Sequence, residues 1–320
     1  MTQLPPPPLP TATPTLPLPL DGAHRILDTA AGPIALYSST RGMGAMSATS
    51  AMTVFDESAR PLLLMHSVNA AACAYEVKPL YDHYSATRPT YAFDLPGYGL
   101  SDRSDRPYTI RLMTDALLAV LAHIRSQHGG VPVDVLGVSL ACEYVARAAL
   151  EKPSAIGRVA LVSPTGFMGR KLFYGAPGSS RGIQWARRLV SNPLWSSGLF
   201  NLLTRPGVIR YFLQRTFGSK TIDEGLWRYD VLTTRQPGAK HAPLYFLSAY
   251  LFSADVNSVY ESLACPVWVS MATRGDFKHY QGRSTVSGRL NWQFHVVPGG
   301  ALPYFEEASS FIRKLDAFLK

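Results

Sequence analysis

The stretch Val133 to Tyr144, VDVLGVSLACEY, places one serine, Ser139, at the apex of a small-residue turn after a mostly apolar run. A serine hydroxyl attacks a carbonyl only when a neighbouring group removes its proton, so the chemistry to look for is acyl transfer. Other chemistries have little support. Cys73, Cys142 and Cys265 are too few and too scattered for a disulfide framework and show no metal-ligand spacing. Neither a phosphate-cradling glycine loop nor paired carboxylates nor zinc spacing is present, so no cofactor is expected. Cys142, just past the serine, reads as a small packing residue.

The elements that must hold Ser139 follow from periodicity. Residues 4–19, LPPPPLPTATPTLPLP, carry eight prolines and no charge, which predicts an extended, poorly ordered tail over 1–22. HRILDTAAGPIALYSS reads as a hairpin, and RGMGAMSATSAM as a loop or irregular hairpin. From residue 61 onward, strands are expected at 61–65, 90–94, 132–136 and 158–163, alternating with helices at 74–84, 109–125 and 140–151. Such alternation gives a mostly parallel sheet with helices on both faces. About 100 residues precede the next strand, PVWVSMA, too many for a simple loop. They contain the helical patterns GIQWARRLV, PLWSSGLFNLL, VIRYFLQRTF and FLSAYLF. WQFHVV and a helix over 305–319 finish the chain. The expected division is a first core part at 23–166, a helical cap at 167–257 and a second core part at 258–320.

Three segments in this order resemble the α/β-hydrolase superfamily over roughly residues 24 to 320. LLLMHSVNA resembles the strand and His-Gly turn of the oxyanion hole, with Ser67 in place of the glycine. AFDLPGYGLSD is similar to the family's Asp-x-Pro-Gly-x-Gly-x-Ser segment. GVSLA resembles the nucleophile elbow Gly-x-Ser-x-Gly, with Ala141 in the last position. The resemblance implies an α/β-hydrolase fold with a helical cap between strands six and seven, and Ser139 as nucleophile. It further implies backbone amides of Val68 and Leu140 as oxyanion donors, with His66 bracing the turn and Asn69 adding a side-chain donor. Asp276, in SMATRGDFKHY, matches the acid position in order.

The family's base follows the last strand, where this chain reads VVPGGALPYFEE and Ala301 fills the histidine position. Without an imidazole the serine stays protonated, and catalysis falls to a residual of about 10³ to 10⁴ over water. His24, His83, His123 and His128 fall far from the strand ends that form such a site, and His295 lies inside the last strand. His279, three residues after Asp276, and His241, in PGAKHAPLYF, remain as substitute bases. Tyr304 is a further candidate for orienting a substrate.

Net charge is +9, and residues 167–250 hold twelve Lys or Arg against three acidic residues, the whole of that excess. An anionic partner is expected there, either a substrate group or a lipid surface, with solvated helix faces as the plainer alternative. No nucleic-acid partner is expected. No apolar run is long enough to span a bilayer and no basic-then-apolar leader opens the chain, so a cytoplasmic protein is expected. The resemblance implies a small apolar acyl substrate, an ester or thioester, with two alternatives: an inactive ligand- or membrane-binding member, and a lyase- or isomerase-like enzyme of the same fold.

Overall fold

In the computed structural model, which describes residues 15–39 and 59–320, the chain opens with a hairpin of β1 (Ala23–Thr29) and β2 (Gly32–Ser38). Six more strands follow: β3 (Leu62–Met65), β4 (Thr90–Phe93), β5 (Val133–Val138), β6 (Ile156–Val162), β7 (Val267–Ala272) and β8 (Trp292–Val297). They form one sheet in the order β1-β2-β4-β3-β5-β6-β7-β8, antiparallel across the first three strands and parallel from β4 to β8. The fold is the α/β-hydrolase fold expected from the motifs. The loop read at RGMGAMSATSAM and the first fourteen residues of the tail lie outside the described residues.

The parallel strands are continuous apolar runs because both their faces are covered. Every residue of β3, β5 and β7 is buried. Alternate side chains serve opposite cores: Leu63, Met65, Val133, Val135, Val159 and Leu161 pack on one face, and Leu62, Leu64, Leu136, Val138, Ala160 and Val162 on the other. The first face is covered by α2 (Ile110–Gln127) and α3 (Ala141–Glu151), preceded in the chain by α1 (Lys78–Tyr84). Buried residues of α2 recur three or four apart, from Ile110 through Met113 and Leu117 to Ile124, and Thr109 caps it by accepting the Leu112 N–H at 3.1 Å.

Six helices join β6 to β7: α4 (Gln184–Val190), α5 (Ser196–Leu203), α6 (Pro206–Phe217), α7 (Glu224–Thr233), α8 (His241–Leu247) and α9 (Val256–Glu261). Three of the four helical patterns fall on α4, α5 and α6. FLSAYLF instead straddles the end of α8, where Ala249 takes a left-handed φ of 62°, and α7 and α9 were not anticipated. The insert is locked to the core by buried polar contacts. Arg147 of α3 pairs with Asp255 at 2.6 Å, and the Tyr144 hydroxyl donates to the Leu251 carbonyl at 2.9 Å. The final helix, α10 (Ala308–Leu319), joins α1 on the second face through Phe311, Leu315 and Phe318.

The tail departs from expectation where it is described. Leu16 and Leu20 are buried, and the Pro17 carbonyl accepts the Tyr229 hydroxyl at 2.7 Å. A proline-rich segment pays little further backbone entropy on docking, so two leucines suffice to seat it.

Candidate active site

Ser139 stands between β5 and α3 in the left-handed region, at φ 54°. A non-glycine residue is held there only by its surroundings. Its N–H donates to the Val162 carbonyl of β6 at 2.8 Å, which fixes the reversal. A side chain at Gly137 would stand 3.0 Å from Val145 and 3.2 Å from the backbone of Ala141 and Cys142, so it would press on the start of α3. Cys142 is buried beneath the turn and its thiol donates to the Gly137 carbonyl at 3.1 Å, the packing role expected of it.

The turn after β3, at His66 to Asn69, is built by a network of buried groups. His66 is fully buried: Nδ1 donates to the Ser67 carbonyl at 2.6 Å and Nε2 accepts the Leu95 N–H at 3.0 Å. Both ring nitrogens are therefore committed, and the imidazole braces the turn rather than serving Ser139. Asp94, in the DLPGYG segment, accepts from the Tyr37 hydroxyl at 2.6 Å, Ala74 N–H at 2.8 Å and Leu100 N–H at 2.9 Å. A Cβ at Gly99, which sits at φ 50°, would collide with that carboxylate. The motif thus reads as a carboxylate wrapped by its own loop.

Glu76, just before α1, completes the turn and was not anticipated. It accepts the Ser67 N–H at 2.7 Å, the Ser67 hydroxyl at 2.9 Å and the Asn69 amide at 3.0 Å. Burial pushes its carboxyl above the ordinary range, partly offset by these hydrogen bonds. The Asn69 amide also donates to the Ser67 hydroxyl at 3.0 Å. Ser67 Oγ and Glu76 Oε1, themselves 2.9 Å apart, share one side of this amide, and Asn69 lines the cavity. The signal for Glu76 was an acidic residue inside the apolar run AAACAYEV.

A cavity of about 350 Å³ opens above Ser139. Val68, Leu140, Ala301 and Leu302 line it together with Ser139, as do Phe173, Phe246, Phe252, Phe277 and Leu213. The amides of Val68 and of Leu140, at the N-terminus of α3, carry no hydrogen bond from the chain among the described residues. Arg181 also lines the cavity. Its guanidinium lies 3.6 Å from the Phe173 ring centroid and 3.2 Å from Glu143, a buried residue of α3 that accepts from the Thr165 hydroxyl at 2.6 Å and Ser253 N–H at 2.7 Å. Nothing in the sequence distinguished Arg181 from the other eleven basic residues around it.

The remaining candidates are not gathered at Ser139. Asp276 is exposed and held bidentately by Arg215 of α6, at 2.8 and 2.9 Å, and does not line the cavity. His279 is exposed beside a separate surface hollow, its carbonyl accepting the Gly169 N–H at 3.2 Å. His241 opens α8 and meets Asp105 at 3.2 Å; burial lowers its pKa, with Asp105 opposing. Tyr304 is buried among Phe305 and Phe311 and does not line the cavity. Ala301 does line the cavity, its carbonyl accepting the Ser163 hydroxyl at 3.0 Å and its N–H donating to Thr216 of α6 at 2.8 Å. No histidine lines the cavity among the described residues.

With this geometry in place, comparison with known proteins gives a consistent picture. The profile of the alpha/beta hydrolase family matches residues 62–313. Among curated proteins none matches the sequence. Similar solved structures include a serine hydrolase involved in carbazole degradation, at 11% identity and a TM-score of 0.68, covering 93% of this chain and 98% of that one. The enol-lactonase of Burkholderia xenovorans is similar at 15% identity and a TM-score of 0.66, covering 92% and 99%. A meta-cleavage product hydrolase of Pseudomonas fluorescens is similar at 15% identity and a TM-score of 0.64, covering 92% and 96%. At these identities the likeness is one of fold.

Proposed function

The chain belongs to the α/β-hydrolase family, and from that premise we propose that its Ser139 cavity binds a small, largely apolar acyl compound and turns it over far more slowly than a complete triad would. The carbonyl oxygen would sit at the Val68 and Leu140 amides, the body against Phe246 and Phe252, and an anionic end near Arg181. The observation that carries this reading is Ala301: a methyl group lines the cavity at the position the resemblance gives to the base, and no imidazole does. The named neighbours, a serine hydrolase, an enol-lactonase and a meta-cleavage product hydrolase, suggest acyl compounds as the ligand class.

Labelling with an alkyl fluorophosphonate, followed by intact mass, tests it. We expect an adduct on Ser139 that accumulates about 10³-fold or more slowly than on an enzyme with a full triad, in line with residual catalysis when a triad member is missing. Binding of an aryl acyl ligand should survive Ser139→Ala. Rapid, complete labelling would overturn the proposal in favour of a second reading, an ordinary serine hydrolase whose base arrives by movement of His241 or His279. That reading is favoured by the left-handed φ of Ser139, a strain an inert turn has no need to keep.

A further inference from the structure

We propose that the outer face of α4 to α6 docks on an anionic lipid bilayer. Trp185 is 70% and Leu194 88% exposed, and Leu189 and Trp195 are exposed as well. Leu194 and Trp195 are adjacent in the chain. Trp185 and Leu189 lie one turn apart on α4, a helix that buries none of its residues, and the Trp195 indole donates to the Leu189 carbonyl at 2.9 Å. On α6, Tyr211 and Phe212 are about half exposed, and the adjacent Leu213 lines the Ser139 cavity.

Charge identifies the occupant. Residues 167–250 contain twelve Lys or Arg against three acidic residues, and of the twelve Arg181, Arg210 and Arg215 are paired with Glu143, Glu224 and Asp276. Asp223 caps α7, accepting the Leu226 N–H at 2.6 Å; Glu224 is bound by Arg210 at 2.7 Å; Asp230 is buried. Arg188 lies on α4 itself, and Arg205 and Lys220 flank α6, all exposed. Indoles and leucines rimmed by cations suit a headgroup region, where rings enter the interface and guanidinium groups meet lipid phosphates. A second copy of the chain would set these cations against each other, which disfavours self-association through this face.

Flotation of the full chain with vesicles tests the proposal. Vesicles of phosphatidylcholine and phosphatidylglycerol mixed two to one should bind about tenfold or more tightly than phosphatidylcholine alone, and added salt should weaken the binding. Trp185→Ser with Leu194→Ser, and separately Arg188→Glu with Arg205→Glu, should each lower it about tenfold or more, with thermal midpoints unchanged. Equal partition onto both vesicle types, or no binding to either, overturns the proposal. So does self-association in solution abolished by the Trp185 and Leu194 changes, which would assign the patch to a second copy. Ser139→Ala should leave vesicle binding unchanged, which separates failure here from failure of the cavity reading.

Discussion

A buried carboxylate without a cation is costly, and Asp230 is such a group. It is 3% exposed, and its contact is the Cys73 thiol at 3.9 Å. Burial first, then nearby Glu76, pushes its pKa well above the ordinary carboxylate range. The folded pKa thus exceeds the unfolded one, the native state binds more protons between them, and stability falls as pH rises through that interval. Asp230→Asn should therefore raise the thermal midpoint at pH 8 by roughly 2 to 6 °C and flatten its decline above pH 5, read by calorimetry across pH. A midpoint lowered at pH 8 would show that the charge is used. At this scale the sequence was informative where a motif forces a residue, as at Ser139 and Gly99. It was silent where a side chain is placed by an unmarked neighbour: Arg181 is held by Glu143, and the Asn69 amide by Glu76.

The element that reshapes the site is α6. Its C-terminal carbonyls reach both positions that the resemblance assigns to acid and base: Arg215 accepts the Asp276 N–H at 3.4 Å and Thr216 accepts the Ala301 N–H at 2.8 Å. A side chain at Gly300 would collide with Thr216 and Phe217, and one at Gly275 with the Arg215 carbonyl. Restoring the base alone should therefore achieve little, since Asp276 stays tied to Arg215. Ala301→His should change p-nitrophenyl ester hydrolysis by less than about tenfold, whereas Ala301→His with Arg215→Gln frees the carboxylate and should gain roughly 10² or more. Equal rates for the two variants would refute the role given to α6. Strand and helix order were legible because each strand is a continuous buried run. The seating of α6 was not, because contacts between a helix end and two distant loops leave no periodic trace.

Across the whole molecule, insert and core are joined by ion pairs as well as by apolar packing. Arg147 and Asp255 are both nearly buried, so Arg147→Ala strands a carboxylate and should cost about 3 to 5 kcal/mol in urea unfolding, in a single transition. A biphasic curve would show that the insert unfolds separately. Among the described residues no helix is long and apolar enough to cross a membrane. The charge excess that located this face was legible in composition; which of its aromatics point outward required the fold. α6 carries Phe212, about half exposed, one turn ahead of Thr216, which lines the cavity. Unwinding its last turn would break the Ala301 and Asp276 hydrogen bonds together, so both loops lean on a single helix end.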